Sequence, residues 1–168
     1  ALVAVALSTL ETTRAFTLEG PASWVDPLIG TGPSNSPNPV PGGAGGSTIP
    51  GAMVPFGMLQ WSPDTDKASP SGYGYDGTHI EEFSLTHFNG AGCPNGEDIG
   101  ILPSTSAIVS SPGTHWTDYA VSFAHVDERA EAGRYRVGLA SGVACDLAAS
   151  ERVAVAQFAR TWRDRPAS

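Results

Sequence analysis

Between Glu81 and Phe88 the side chains alternate: Phe83, Leu85 and His87 fall on one side of an extended chain, Ser84 and Thr86 on the other. The same period of two returns in Gly133–Ala140, where Tyr135, Val137 and Leu139 oppose Arg134 and Arg136. It recurs in Asp118–Val126, where Tyr119, Val121 and Phe123 coincide, and in Gly142–Ala149, where Cys145 stands between Val143 and Leu147. Alternation of this kind predicts strands with one buried face, and places Phe83, Leu85, Val121, Phe123, Tyr135, Val137 and Leu139 in the core. Three further runs are apolar without strict alternation. Ala52–Trp61 contains Pro55 and reads as an edge or irregular strand; Asp98–Pro103 reads as a short strand ending at its proline. Glu151–Trp162 reads as a strand, although its alanines would also suit a helix. Short strands and turns at this spacing predict an all-β fold, an antiparallel β-sandwich.

Composition agrees. Of 168 residues, 20 are Gly and 14 Pro, and both interrupt helices. Hydrophobic residues at 40% against 15% charged leave enough apolar surface for one core of ordinary size. Gly30–Gly51 is a long Gly/Pro/Ser/Asn stretch without period, hence a surface excursion; its glycines lack the Gly-Lys-Ser/Thr ending of a phosphate loop. The formal charge of −8, with no Lys/Arg cluster, argues against a nucleic-acid partner.

The chain opens on an apolar run, Ala1–Leu10, too short to span a bilayer. It reads either as a frayed helix or as the remnant of an export signal, with Thr13-Arg14-Ala15 as a small-residue cleavage site. The second reading divides the chain into a signal remnant (1–15), a linker (16–24) and one domain (25–168), and predicts a secreted or periplasmic protein without a membrane span. The last strand runs into Arg163–Ser168, and neither terminus reads as a natural chain end, so the sandwich is expected to be incomplete.

The segment Thr86–Gly100, "THFNGAGCPNGEDIG", carries the densest candidate chemistry. Its cysteine, Cys93, could pair with Cys145 or act with His87 as a nucleophile and base, but no Asp or Asn is clearly placed in the sequence to orient the imidazole. The four histidines have no zinc-type spacing, and no metal site is predicted. Carboxylate pairs that could do acid/base work on a sugar occur at Asp64/Asp66, Glu81/Glu82 and Glu97/Asp98. Asp64 after Ser62-Pro63 reads as a turn cap and Glu81/Glu82 as a solvated strand end, while Asp98 reads as a residue that fixes its own loop. Trp61, Tyr73, Tyr75, Phe88 and Trp116 stand beside loops, where rings could stack on sugar faces.

Four blocks, "VDPLIGTG" (25–32), "STIPGAMVPFGMLQWSPDT" (47–65), "SGYGYDG" (71–77) and "FSLTHFNGAGCPNGEDIGILP" (83–103), resemble in their order the opening domain of glycoside hydrolase family 92. The resemblance implies a β-sandwich followed by an (α/α)6 barrel that this chain does not contain. It implies an exo-acting, inverting, calcium-dependent α-mannosidase that trims terminal mannose from glycans. Acid, base and most calcium ligands would lie in the helical domain, so no catalytic residue is expected here and the chain alone should be inactive. The loop His87–Asp98 would be the sandwich's share of the pocket, with His87, Gly90, Gly92, Cys93, Pro94 and Asp98 as substrate-binding residues. Its partners would be mannose-containing glycans and the C-terminal helical domain. Many relatives read Ser-Gly-Thr-Gly-Cys-Pro-Asp-Tyr-Gly-Asp where this chain has "NGAGCPNGED", so Asn89, Ala91 and Asn95–Glu97 are departures bearing on the leaving group. The alternative is a free-standing carbohydrate-binding sandwich without catalysis.

Overall fold

The computed structural model of the chain describes residues 20–32, 47–67, 70–90 and 97–160. Seven strands follow one another in a single antiparallel order, β1 (Ala52–Met53), β2 (Gln60–Thr65), β3 (His79–Ser84), β4 (Val121–Glu131), β5 (Arg134–Leu139), β6 (Val143–Ala149) and β7 (Ala154–Arg160). The described residues hold no α-helix, only two single-turn 3-10 helices at Pro21–Trp24 and Trp116–Tyr119. The sheet folds back on itself: β1 and β2 lie over β5 and β6. This is the antiparallel all-β sandwich that the alternation predicts.

The core forms between those layers. Phe83, Tyr135, Val137, Leu139, Val143, Cys145 and Leu147 are buried there with Trp61 and Ile80, and Leu85, Val121 and Phe123 pack against them half-buried. The inner set therefore matches the period-two expectation. The outer face of β5 and β6 is polar: the Arg134 guanidinium donates two hydrogen bonds to Asp146, at 2.8 and 2.6 Å.

Four local expectations need correction. Ala52–Trp61 is not one strand: Pro55, Phe56 and Gly57 turn the chain, and pairing resumes only at Gln60. Asp64 is not a turn cap: β2 runs on through Pro63, which pairs with Phe83, and Asp64 lies buried opposite Glu82. Asp98–Pro103 is not a strand; it makes one isolated bridge, Phe83 with Ile101. Glu82 is half-buried within β3 and not at a solvated end. The alanine-rich run after Glu151 is a strand, because every residue from Ala154 to Arg160 pairs with β6.

β4 carries the largest irregularity. Between Phe123 and Glu128 five steps along β4 match two along β5, so the chain bulges out and brings Glu128 back over the core.

Candidate functional site

Two buried polar networks brace the sandwich edge from which residues 87–98 depart. The first joins β2, β3 and the residue after β3. Asp64 lies buried on the face of β2 opposite Trp61; its Oδ2 accepts a hydrogen bond from Ser84 Oγ at 2.6 Å and its Oδ1 faces His87 Nε2 at 2.9 Å. The other ring nitrogen, Nδ1, donates to the carbonyl of Gln60 at 2.7 Å. His87 is thus fully enclosed, with both nitrogens engaged. Gly72 closes the cluster. Its φ is 89°, and a Cβ there would fall on Asp64 Oδ1 and within 3.1 Å of the imidazole, so only glycine fits.

Ser84, Asp64 and His87 are the residue types of a hydrolytic triad, but they are not arranged as one. A triad places the imidazole between hydroxyl and carboxylate, one ring nitrogen on each. Here the hydroxyl and the carboxylate share Nε2, and the serine donates to the aspartate. The cluster is a strut. It also holds the imidazole against Asp64, the orienting carboxylate that sequence reasoning could not locate.

From His87 the chain runs outward under restraint at both ends. On the near side Asn89 Oδ1 accepts from Ile49 N at 3.0 Å, Gly90 N donates to Ser47 O, and Ser71 Oγ donates to Phe88 O. On the far side Thr86 Oγ1 donates to Asp98 Oδ2 and accepts from Asp98 N, both at 3.1 Å, while Glu97 N donates to Thr86 O. Asp98 thus fastens the end of its loop to Thr86. Gly90 has a φ of 73° and open space around it. Gly92, Cys93 and Pro94, together with Ala91 and Asn95-Gly96, lie outside the described residues.

Glu97 has a left-handed φ of 61°, a backbone region that side chains other than glycine's rarely adopt. Burial raises its carboxyl above the ordinary range, with repulsion from Asp64 adding to it and His87 opposing. Glu82 is raised in the same way, by burial first and then by Asp64, Glu97 and Glu81.

The second network centres on Glu128, returned to the core by the β4 bulge. Its carboxylate accepts from Tyr135 Oη at 2.7 Å, from Tyr73 Oη at 3.0 Å and from His125 Nδ1 at 2.6 Å. Burial and the adjacent carboxylate push both tyrosine hydroxyls well above their usual range. His125 Nε2 binds the Tyr75 carbonyl and its ring stacks on Tyr75 at 3.9 Å. The segment Ser71–Gly77 is therefore tied to the sheet from both networks.

Of the rings considered for sugar stacking, Trp61 and Tyr73 are buried and unavailable, while Tyr75 and Phe88 are exposed. The side chain of Trp116 lies outside the described set. Cys145 is a buried free thiol pushed up to about 12 by burial. Among the described residues no three His, Cys, Asp or Glu side chains stand where they could hold a metal ion. Asp64 and His87 are spent on each other, and Glu128 on its three donors.

The described geometry is that of an antiparallel sandwich with a loop that departs at His87 and is refastened through Asp98 and Thr86. The profile described as Glycosyl hydrolase family 92 N-terminal domain matches residues 24–165. The chain belongs to this family of glycoside hydrolases. An α-mannosidase of the family from Bacteroides thetaiotaomicron, solved with mannoimidazole, is 32% identical with a TM-score of 0.68; the match covers 82% of this chain and 18% of that one. An inverting mannosidase of the family from the same organism is 26% identical with a TM-score of 0.62, covering 84% and 18%. A relative described as an uncharacterized secreted glycosidase of Arthroderma benhamiae is 26% identical over 141 residues, 80% of this chain and 17% of its own length. The chain thus spans under one-fifth of these relatives. No helix among the described residues is long and apolar enough to cross a membrane.

Proposed function

We propose that this chain is the pocket-forming N-terminal domain of an exported, exo-acting, inverting and calcium-dependent α-mannosidase that removes terminal mannose from glycans. The observation that carries the reading is the family match across residues 24–165, over the same blocks that build the braced loop. A single-displacement mechanism needs a carboxylic acid to protonate the leaving oxygen and a carboxylate to activate water across the sugar. Three of the described carboxylates are already engaged, Asp64 and Glu128 from within and Asp98 with Thr86, and the family match is to an N-terminal domain that leaves most of each solved relative outside it. Acid, base and calcium ligands are therefore assigned to a C-terminal domain, and this domain supplies shape.

Gly90, Gly92, Cys93, Pro94 and Asp98 form the wall in this reading, with glycine letting the backbone approach a sugar closely. His87 acts from beneath, as a strut through Asp64 and not as a ligand. Export is supported by the apolar start of the chain and by the relative described as secreted.

The test is release of mannose from an aryl α-mannoside. The full-length polypeptide should turn over with calcium and lose activity on chelation, and the 168-residue chain should show none. Turnover by the 168-residue chain alone would overturn the assignment of acid and base. Mannose binding by a protein that ends with this sandwich would favour a free-standing sugar-binding module.

A further inference from the structure

Phe56 is held where the domain's own packing has no use for it. It follows Pro55 in the connection between β1 and β2, has a left-handed φ of 59°, and is 105% exposed. Bulky residues avoid that backbone region, and an exposed ring returns no burial for it. The conformation is nevertheless fixed. Gly57 N donates to Val54 O at 3.0 Å, closing a turn, and Met58 N donates to Glu151 O at 2.8 Å, fastening the turn to the β6–β7 connection. A Cβ on Gly57 would meet Val54 at 3.0 Å, so the turn is tight around the aromatic. Met58 next to it is 72% exposed, and Val153 on the β6–β7 connection is 61% exposed.

A rigid turn that presents an aromatic and a methionine outward, at the expense of backbone strain, has the character of an interface anchor. We propose that Phe56 and Met58 are the anchor on which the remainder of the full-length polypeptide docks. The proposal rests on the reading that a C-terminal domain follows. That occupant is favoured because the family match is to an N-terminal domain and most of each solved relative lies outside the matched region. A segment of the same chain arrives at high effective concentration, so a small anchor suffices to hold it. A second copy of this chain would need a far larger apolar area around the same turn.

The experiment compares Phe56→Gly in two contexts. In the 168-residue chain glycine suits the left-handed φ and no packing is lost, so Tm should rise by about 1–3 °C. In the full-length polypeptide the same change should lower the melting of the N-terminal domain and speed its proteolytic release about tenfold or more. Met58→Ala, which leaves the backbone conformation alone, should be neutral in the short chain and destabilising in the long one. Effects of the same sign in both contexts would overturn the proposal. So would a dimer of the wild type that Phe56→Gly dissociates, or a raised KM for the mannoside with unchanged domain melting, which would make the ring a self-contact or a ligand contact. If the full-length wild type hydrolyses no mannoside while the opposite signs persist, the functional reading fails and the docking anchor stands.

Discussion

Replacing Gly72 by alanine tests whether the Asp64–His87 strut is as closed as its geometry states. Two penalties combine. The φ of 89° is left-handed, which disfavours alanine by about 1 kcal/mol. The added methyl also lands on Asp64 Oδ1 and within 3.1 Å of the imidazole. Those neighbours are backed by β2, β3 and the Gln60 carbonyl, so they cannot withdraw without breaking buried hydrogen bonds. Overpacking of this kind adds about 1–3 kcal/mol. The sum is about 3 kcal/mol, a fall in Tm of about 6–12 °C for a domain of this size. Gly142→Ala is the control: its φ is 81° and nothing lies within 4 Å, so it should lose only the backbone part, about 1 kcal/mol. Thermal unfolding by circular dichroism reads both. Equal falls for the two variants would show that the cluster yields freely and is no strut.

Four further outcomes are expected. Glu128→Gln replaces an acceptor of three donors by a group that turns an amide towards them, and should lower stability by about 2–4 kcal/mol in chemical denaturation. Glu82 and Glu97 hold their protons more tightly folded than unfolded. Their contribution is therefore full below the ordinary glutamate value of 4.5 and lost as pH rises through the raised values. Glu82→Gln should match the wild type near that value and exceed it in stability at neutral pH, whereas no difference at neutral pH would refute the sign. Glu97→Gly also removes a left-handed side chain and should raise Tm by about 2–4 °C. Cys145, with its thiol pushed up to about 12 and its side chain in the core, should escape iodoacetamide at pH near 8 until denaturant is added, as peptide mass mapping will show.

The strands were legible because their signal is local. Tyr135, Val137 and Leu139, or Val143, Cys145 and Leu147, report one buried face through neighbours two apart. The braces were not, because they join residues distant along the chain. Asp64 meets His87 over 23 positions, and in sequence an aspartate after Ser-Pro has the look of a turn cap. β2 nevertheless runs through Pro63, opposite Phe83, and carries Asp64 on with it. Glu128 was hidden by the β4 bulge, which breaks the period of two at the residues that bring it inward. Phe56 read as part of an apolar strand since pattern alone cannot show a left-handed φ. The loop's proposed role rests on the order of its motifs, whereas Asp98, read as its fastener from position alone, does bond Thr86. Asn89 was read as a departure bearing on the leaving group, but its side chain holds the Ile49 amide.

The most direct test of the account follows the anomer formed in the first minutes of hydrolysis by the full-length polypeptide, using proton NMR on an aryl α-mannoside. The account predicts that β-mannose appears first and then mutarotates, with calcium required and Glu97→Gly retaining the same stereochemistry. Initial release of α-mannose would require a covalent intermediate and a nucleophile, and would contradict both the mechanism and the division of labour between this domain and the rest of the protein.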